Sequence, residues 1–354
     1  MTLSAPVDWS ALEELAARAA DPAQGPGHVP GTAWRQLAQT LDRLEAERAW
    51  IEIVRLRRLF TPLFARDTMG GFPLLLRLDE AAIGAARQMG DKRTLASLLG
   101  AQGHNLHRQG YHQEAIGVFE ESAALYREAS ESFSSLKSYY MTALCHRALD
   151  RRRQALQVLE EILAQVPADD PWRGNPLQVQ AWLAQDEGQL AEAERLLRQA
   201  LVYQRQTKDP DILVAGTLAD LGEIQGLLDR PDEAEQTLQE SIAILARHGG
   251  QYERQAARSR LKLAELLMRQ KRYEEALSRL DEADDLIRLY GHYYDLMWRI
   301  ELARALIFLR LGQARNAARK FRTTLRYRRE LELPLGLLMR QLLRRLVQGS
   351  GLPR

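Results

Sequence analysis

The sequence predicts an all-α protein, and two observations lead to this prediction. An alanine recurs six times, at positions 115, 155, 193, 234, 276 and 317, with intervals of 40, 38, 41, 42 and 41 residues. No run of four to eight residues alternates apolar and polar side chains between turn signals, so no sheet is expected. A fixed period of about 40 residues is typical of stacked two-helix units that bury their apolar faces against one another.

Three further positions keep a constant distance from each shared alanine. Five residues before it, a turn residue is expected to end the first helix of the pair: Gly110, Asp150, Gly188, Asp229, Lys271 and Gly312. Twelve residues before it, a small residue lets two helices approach closely: Gly103, Ala143, Ala181, Gly222, Ala264 and Ala305. Four residues after it, a large apolar side chain fills the space between consecutive hairpins: Phe119, Leu159, Leu197, Leu238, Leu280 and Phe321.

This arrangement resembles the tetratricopeptide repeat (TPR). The segments Leu99-x2-Gln102-Gly103-x2-Leu106 and Ala115-x3-Phe119 are degenerate forms of its pattern. The resemblance covers roughly residues 90–331 and implies a right-handed superhelical solenoid of antiparallel helix hairpins. Because the usual unit has about 34 residues, each helix pair here should be longer by about a turn.

Units of about 40 residues are similar to those in the sensor arrays of STAND-type signalling ATPases and in bacterial regulators that sense short peptides. The sequence contains no G-x4-G-K-[ST] loop, so a nucleotide-driven motor is not expected within it. By this resemblance the chain corresponds to the sensor or adaptor half of such a system.

Breaker-rich stretches divide the rest of the chain. Helices are expected over residues 8–20, from Thr32 to about Arg48, from Trp50 to about Phe64, and over Leu335–Val347 as a terminal cap; breaks are expected at 21–31, 67–73 and 167–176. The predicted organisation is an N-terminal helix and Pro/Gly-rich linker (1–31), divergent helical units (32–89), six TPR-like repeats (90–331), and a C-terminal capping helix and tail (332–354).

Composition favours a folded cytoplasmic protein. The 354 residues are 45% hydrophobic and 27% charged, without an apolar run of about 18 residues or a secretory signal. The single cysteine, Cys145, has no partner within the chain for a disulfide, and its apolar neighbours predict a buried thiol. Only six of the 49 basic residues are lysines, which we interpret as the codon bias of a GC-rich bacterial genome.

A ligand-binding face is expected on the first helices, which line the concave side of such a stack. Residues eleven before the shared alanine should project into it: His104, Leu144, Trp182, Glu223, Glu265 and Leu306. Residues fifteen before it should do the same: Gly100, Tyr140, Gln178, Ala219, Leu261 and Leu302. Neither set contains Lys or Asn, so the clamp that some family members use for a terminal carboxylate is not expected.

Two groups on these helices are candidates for partner binding. An aromatic and polar patch is predicted from Tyr140, Met141, Gln178, Trp182 and Gln185, with His104, His107 and Arg108 nearby. A second group, Asp220, Glu223 and Glu265, makes the middle of the array acidic and suits a basic or amino-bearing ligand. The alternatives are that the aromatic residues only pack between helices and that the acids form a solvated helix face.

A basic stripe is predicted near the C-terminus. Residues 299–354 carry 14 basic and 3 acidic side chains, a net charge of +11, whereas the preceding residues carry −9. Arg315, Arg319, Arg322, Arg326 and Arg329 are spaced by 4, 3, 4 and 3 residues and therefore share one helix face. Such a stripe suits phosphates, an acidic partner or the acidic part of a second copy of the protein. An acidic protein surface is favoured over a nucleic acid, since only Tyr327 is available to stack on a base. A solvated face is the alternative.

No catalytic residue, metal site or cofactor is predicted. The sequence lacks the G-x-S-x-G, H-E-x-x-H and Cys-x2-Cys patterns and the dinucleotide glycine fingerprint. His104 and His107 share a helix face, but no further ligand accompanies them at metal-binding spacing. The leading hypothesis is a non-enzymatic scaffold or adaptor for a protein or peptide partner; the alternatives are a ligand- or peptide-sensing regulator and a nucleic-acid-associated subunit.

Overall fold

The computed structural model describes residues 6–20, 31–62, 73–248, 252–290 and 294–330. Every regular element in these ranges is helical, which confirms the predicted all-α class. The chain forms two compact units with a boundary between Ile162 and Leu163, called unit 1 and unit 2 below.

From residue 92 onward, most described helices that form a repeat pair are joined by short turns and pack as hairpins. Unit 1 contains α1 (Trp9–Ala20), α2 (Gly31–Ala46), α3 (Trp50–Leu59), α4 (Pro73–Met89), α5 (Lys92–Gln109), α6 (His112–Glu128), α7 (Ser132–Ala148) and most of α8 (Arg152–Gln165). Unit 2 contains a 3-10 turn (Pro171–Arg173), α9 (Gly174–Asp186), α10 (Leu190–Gln204), α11 (Asp211–Leu227), α12 (Pro231–Ala246), α13 (Glu253–Arg269), α14 (Tyr273–Tyr290), α15 (Tyr294–Arg310) and α16 (Ala314–Glu330).

The repeat positions that the sequence identified form the core of the hairpins. All six shared alanines are buried, with at most 2% of their surface exposed. The small residues twelve positions earlier are buried as well. Five of the six large apolar residues four positions later are also buried, and the sixth, Phe321, is partly buried. The recurring pattern is therefore the pattern of side chains that hold each hairpin together.

Each first helix ends in the same left-handed turn, as predicted. The six turn residues all have positive φ, from 61° at Asp150 and Asp229 to 90° at Gly110. In every case the amide of the following residue donates to the carbonyl five residues earlier, for example from Tyr111 to Leu106 over 2.9 Å. This is the hydrogen bond of a Schellman-type helix end, which satisfies a carbonyl that the helix leaves unpaired.

In two of the hairpins the small-residue position leaves no room for a side chain, so it is occupied by glycine. A Cβ at Gly103 would lie 2.8 Å from the ring of Phe119, and one at Gly222 would lie 2.7 Å from Cγ of Leu238. The small residue and the large residue of the repeat therefore pack directly against each other. The same Phe119 also packs against Cys145 of the following helix, so it fills the predicted space between consecutive hairpins.

The structure differs from the sequence prediction at two places. The break at 167–176 is shorter than predicted, because α9 already begins at Gly174 and places Pro176 in its first turn, where proline is tolerated. The positions fifteen before the shared alanine do not form a uniform exposed row: Ala219, Leu261 and Leu302 are at most 1% exposed. These residues are core because each such helix is covered by neighbouring helices on more than one side.

Some predicted features lie outside the described residues. These are most of the linker at 21–31, the break at 67–72 and the terminal helix over 335–347. The helices predicted at 8–20, from Thr32 and from Trp50 are present with bounds within a few residues of those expected, except that α3 ends at Leu59. Among the described helices, none is both long and apolar enough to cross a membrane.

Candidate functional site

The first helices of three consecutive hairpins in unit 2 bring their polar side chains together around one carboxylate. Asp220 on α11 is 2% exposed. Its Oδ2 accepts hydrogen bonds from Nε2 of Gln178 and Nε1 of Trp182, both at 2.8 Å. Its Oδ1 accepts from Nη2 of Arg258 at 2.7 Å and from Nζ of Lys262 at 2.6 Å. We call these five residues the Asp220 cluster.

The repeat period explains how these residues meet. Gln178 and Trp182 on α9 precede Asp220 by 42 and 38 residues, and Arg258 and Lys262 on α13 follow it by 38 and 42. Residues about one period apart lie at similar levels on neighbouring first helices, where their side chains can meet. Asp220 thus receives two donors from the hairpin before it and two from the hairpin after it.

The hydrogen-bonded network continues beyond Asp220. Nζ of Lys262 lies 2.5 Å from Oε2 of Glu223, whose Oε1 accepts a hydrogen bond from Gln185 at 3.1 Å. One hairpin further along, Arg299 lies 3.6 Å from Glu265. The acidic side chains that the sequence singled out therefore each have a cationic partner within unit 2.

Both central carboxyl groups are ionised at neutral pH. Burial disfavours the charged form of Asp220, but the attraction of Arg258 and Lys262 outweighs it and lowers the pKa of this carboxyl below its usual range. Burial likewise opposes ionisation of Glu223, and Lys262 again dominates, lowering the pKa to about 2. Two negative and two positive side chains balance, so this part of the face is neutral. Asp220 does not present a free carboxylate to a basic ligand.

The rim of the cluster is open to solvent. Trp182, Gln185 and Glu223 are partly exposed, and 37% of the Arg258 side chain is exposed. The Arg258 guanidinium carbon lies 5.9 Å from the centre of the Trp182 ring, within the range of a cation–π contact. Trp and Arg are the residue types that most often dominate interface energies. The arrangement holds both in fixed positions through their bonds to Asp220.

The other predicted patch residues belong to unit 1. His104 is exposed and its ring meets that of Phe119 edge-on at 5.2 Å between centroids. Met141 packs against the core around Phe119, and burial raises the pKa of the Tyr140 hydroxyl. The patch predicted from the sequence is therefore divided between the two units, with Gln178, Trp182 and Gln185 in unit 2.

Arg258 and Lys262 were not predicted from the sequence. Lys262 stands fourteen residues before Ala276, just as Asp220 stands fourteen before Ala234, but a pattern of acidic and aromatic residues does not point to a cation there. Arg258 stands eighteen residues before Ala276, outside the offsets that define the predicted lining. Searching for a cation one repeat period from each acidic residue finds both of them. The two residues are the main reason why the acidic middle of the array is neutral.

The basic stripe on α16 is exposed where its side chains are described. Arg315, Arg319, Arg322 and Arg326 are all exposed, and the side chain of Arg329 lies outside the described residues. Lys320, on the neighbouring face, instead pairs with Glu301 at 2.9 Å. Tyr327 is only 8% exposed and so offers no open platform for base stacking.

Paired helices with buried alanines and left-handed turns define a TPR-type repeat protein, and comparisons with known proteins agree. Residues 121–345 match the family described as the MalT-like TPR region, and the chain belongs to this family. A comparison with curated proteins finds no significant match.

Two solved structures illustrate the similarity of fold. NprR in complex with its cognate peptide NprX is 16% identical, with a TM-score of 0.56 over 90% of this chain and 89% of NprR. A Rap protein complexed with the competence and sporulation factor is 13% identical, with a TM-score of 0.57 over 92% of this chain and 98% of Rap. At these identities the likeness concerns the fold alone.

Proposed function

We propose that the chain is a non-enzymatic scaffold or adaptor that binds a protein or peptide partner on the first helices of unit 2. The observation that carries this proposal is the Asp220 cluster, which fixes Trp182 and Arg258 at the edge of a buried hydrogen-bonded network. The contacts are made by Trp182, Gln185, Glu223 and the exposed part of Arg258.

Preorganisation is the physical argument for this surface. Binding is weakened when flexible side chains must be ordered, at roughly 0.5–1.5 kcal/mol for each one immobilised. Here the indole and the guanidinium are already held by Asp220. A partner therefore gains contact with an aromatic ring and a cation while ordering few side chains.

The comparisons support the choice of a peptide or protein as partner by analogy. NprR and Rap, which share the fold, were solved with a cognate peptide and with the competence and sporulation factor, respectively. Fold alone does not establish function, so the proposal depends on the site itself.

Site-specific photo-crosslinking in the organism that encodes the protein tests this surface. A photoreactive residue is placed at Gln185, on the rim of the cluster, or at Arg198 on α10, whose side chain is 56% exposed on the second helix of the same hairpin. We expect a discrete crosslinked partner from position 185, lost when Trp182→Ala is added, and none from position 198. Equal crosslinking from both positions, or none from 185, would contradict the proposal.

A ligand-sensing regulator is the alternative function for the same face. A sensor should change its radius of gyration when the partner identified by crosslinking is added, which small-angle scattering measures. An adaptor should bind with no such change.

The exposed stripe on α16 favours a second binding function. The side chains of Arg315, Arg319 and Arg322 form no ion pair or hydrogen bond with the described residues, in contrast to Lys320 on the same helix. We propose an acidic protein surface as the partner of this stripe. Substitution of these three arginines by glutamate should abolish that binding, while nuclease treatment should leave it intact; a nuclease-sensitive complex would instead indicate nucleic acid.

A further inference from the structure

Unit 1 contains a cluster of two histidines and one cysteine that the binding face of unit 2 does not involve. His107 Nδ1 lies 3.3 Å from Sγ of Cys145, and the rings of His107 and His112 are 4.9 Å apart between centroids. One ligand atom from each of the three residues lies within 4.8 Å of the others. The sequence suggested His104 as the neighbour of His107, but the His104 ring instead contacts Phe119.

The repeat architecture assembles this cluster. His107 lies in the last turn of α5 and His112 begins α6, so the left-handed turn at Gly110 brings them to the same side. Cys145 lies on α7, 38 residues after His107, where the next first helix packs against the hairpin. Three helices therefore each contribute one side chain.

The donor set suits zinc. Zn²⁺ binds Cys sulfur at about 2.3 Å and His nitrogen at about 2.0–2.1 Å in tetrahedral geometry, which places sulfur and nitrogen about 3.5 Å apart. The observed 3.3 Å between His107 and Cys145 is close to that separation. The three ligand atoms lie within 4.8 Å of one another, which is wider than the separation in a zinc site. A histidine side chain must therefore move by about 1–1.5 Å to bind the ion together with the other two.

A second observation concerns His112. Its Nδ1 is buried and has no hydrogen-bond partner among the described residues. Buried polar atoms are usually paired. Other buried side-chain atoms of the described residues also lack a partner, Nδ1 of His146 among them, but the nitrogen of His112 is the one that lies in a cluster with a second histidine and a cysteine. A metal ion is a partner that this nitrogen can take, since neutral imidazole binds metals through either ring nitrogen.

We propose that His107, His112 and Cys145 bind one Zn²⁺ ion, with water as the fourth ligand. Both imidazoles are partly exposed and leave a path for the ion, whereas the cysteine is buried. Binding releases the thiol proton to solvent, because the sulfur ligates as thiolate. The ion joins the α5–α6 hairpin to α7 and stabilises unit 1.

Cobalt titration of the untagged 354-residue chain tests the proposal. The protein is stripped with chelator, kept reduced, and titrated with Co²⁺, whose bond to a thiolate gives a charge-transfer absorption band. We expect one equivalent to bind, with Zn²⁺ displacing it, and a dissociation constant for Zn²⁺ of about 1 μM or tighter. Cys145→Ser and His112→Ala should each weaken metal binding by at least about 100-fold. Mutating a residue that only hydrogen-bonds to a metal ligand typically costs about 10–100-fold, so a larger loss indicates a direct ligand.

Matched controls separate this site from adventitious binding. His104→Ala, on α5, and His146→Ala, beside Cys145, should leave the titration unchanged. Cys145 is buried and its replacement can disturb folding, so His112→Ala is the deciding variant, provided that its circular dichroism spectrum is unchanged. Zn²⁺ should raise the melting temperature of the wild type but not that of His112→Ala. Absence of the charge-transfer band in the wild type, or an equal loss in His104→Ala, would overturn the proposal.

Discussion

Replacing Lys262 by Met tests whether the buried network of unit 2 stabilises the fold. The ammonium group lies 2.6 Å from Asp220 and 2.5 Å from Glu223, and only 4% of the side chain is exposed. Lys262→Met keeps most of the volume but removes one of the two cations that contact Asp220. Removing one partner of a buried pair typically costs about 3–5 kcal/mol, and we expect about 3 kcal/mol because Arg258 remains.

A double-mutant cycle isolates the interaction. Asp220→Asn removes the opposite charge, and the double variant Asp220→Asn/Lys262→Met restores the balance between Glu223 and Arg258. The double variant should be more stable than the sum of the single effects predicts, by at least about 2 kcal/mol. Urea unfolding followed by circular dichroism measures each free energy.

An exposed ion pair provides the control. Arg195→Met breaks the ion pair with Glu192. The two side chains are 60% and 44% exposed, so the substitution should lower the free energy of unfolding by less than about 1 kcal/mol. A loss below about 1 kcal/mol for Lys262→Met, or strictly additive effects in the cycle, would refute the conclusion that this buried network stabilises the protein.

Further predictions concern pH, packing, turns and the thiol. Because Glu223 has a pKa of about 2 in the folded protein against 4.5 as its ordinary value, its stabilising contribution should be complete above about pH 4.5 and lost as the pH falls towards 2; acid titration of unfolding should show a smaller loss in Glu223→Gln. Gly222→Ala should destabilise the protein by about 1–3 kcal/mol through the clash with Leu238, whereas Gly216→Ala in the same helix, with nothing within 4 Å, should stabilise it by up to about 1 kcal/mol in urea unfolding. Lys271→Gly should raise stability by about 0.5–1 kcal/mol because the lysine has a φ of 62°, and an unchanged or lower unfolding midpoint would contradict this. In the metal-free protein, Cys145 should react with iodoacetamide much more slowly in the native than in the unfolded state, because burial keeps the thiol inaccessible and raises its pKa to about 12; equal rates by mass spectrometry would contradict its placement.

The hairpins could be predicted from the sequence because their determinants are local and repeated. The shared alanine, the small residue before it and the turn residue recur at fixed offsets. The contact of Gly103 with Phe119 shows the reason, because each hairpin needs a small residue opposite a large one. The six positive φ values follow from the same spacing, including those of Asp150, Asp229 and Lys271, where glycine is absent.

The candidate site was less predictable because its chemistry depends on pairing between repeats. Asp220 and Glu223 were identified as acidic residues, but their neutralisation by Lys262 depends on contacts between α11 and α13. The position fifteen residues before the shared alanine is predicted to line the binding face, but Leu261, which occupies this position on α13, is fully buried. A pattern within one repeat does not contain this information.

The separation of about one period between ion-pair partners has a consequence for how such arrays change in evolution. Arg230 pairs with Glu194, and Arg272 with Glu235, each across 36 or 37 residues, so adding or deleting a whole repeat elsewhere leaves these pairs intact. Asp220 differs, since it is bound from the hairpins on both sides. A duplication or deletion beside α11 would leave a buried charge without half of its donors, so array length should vary least at this point.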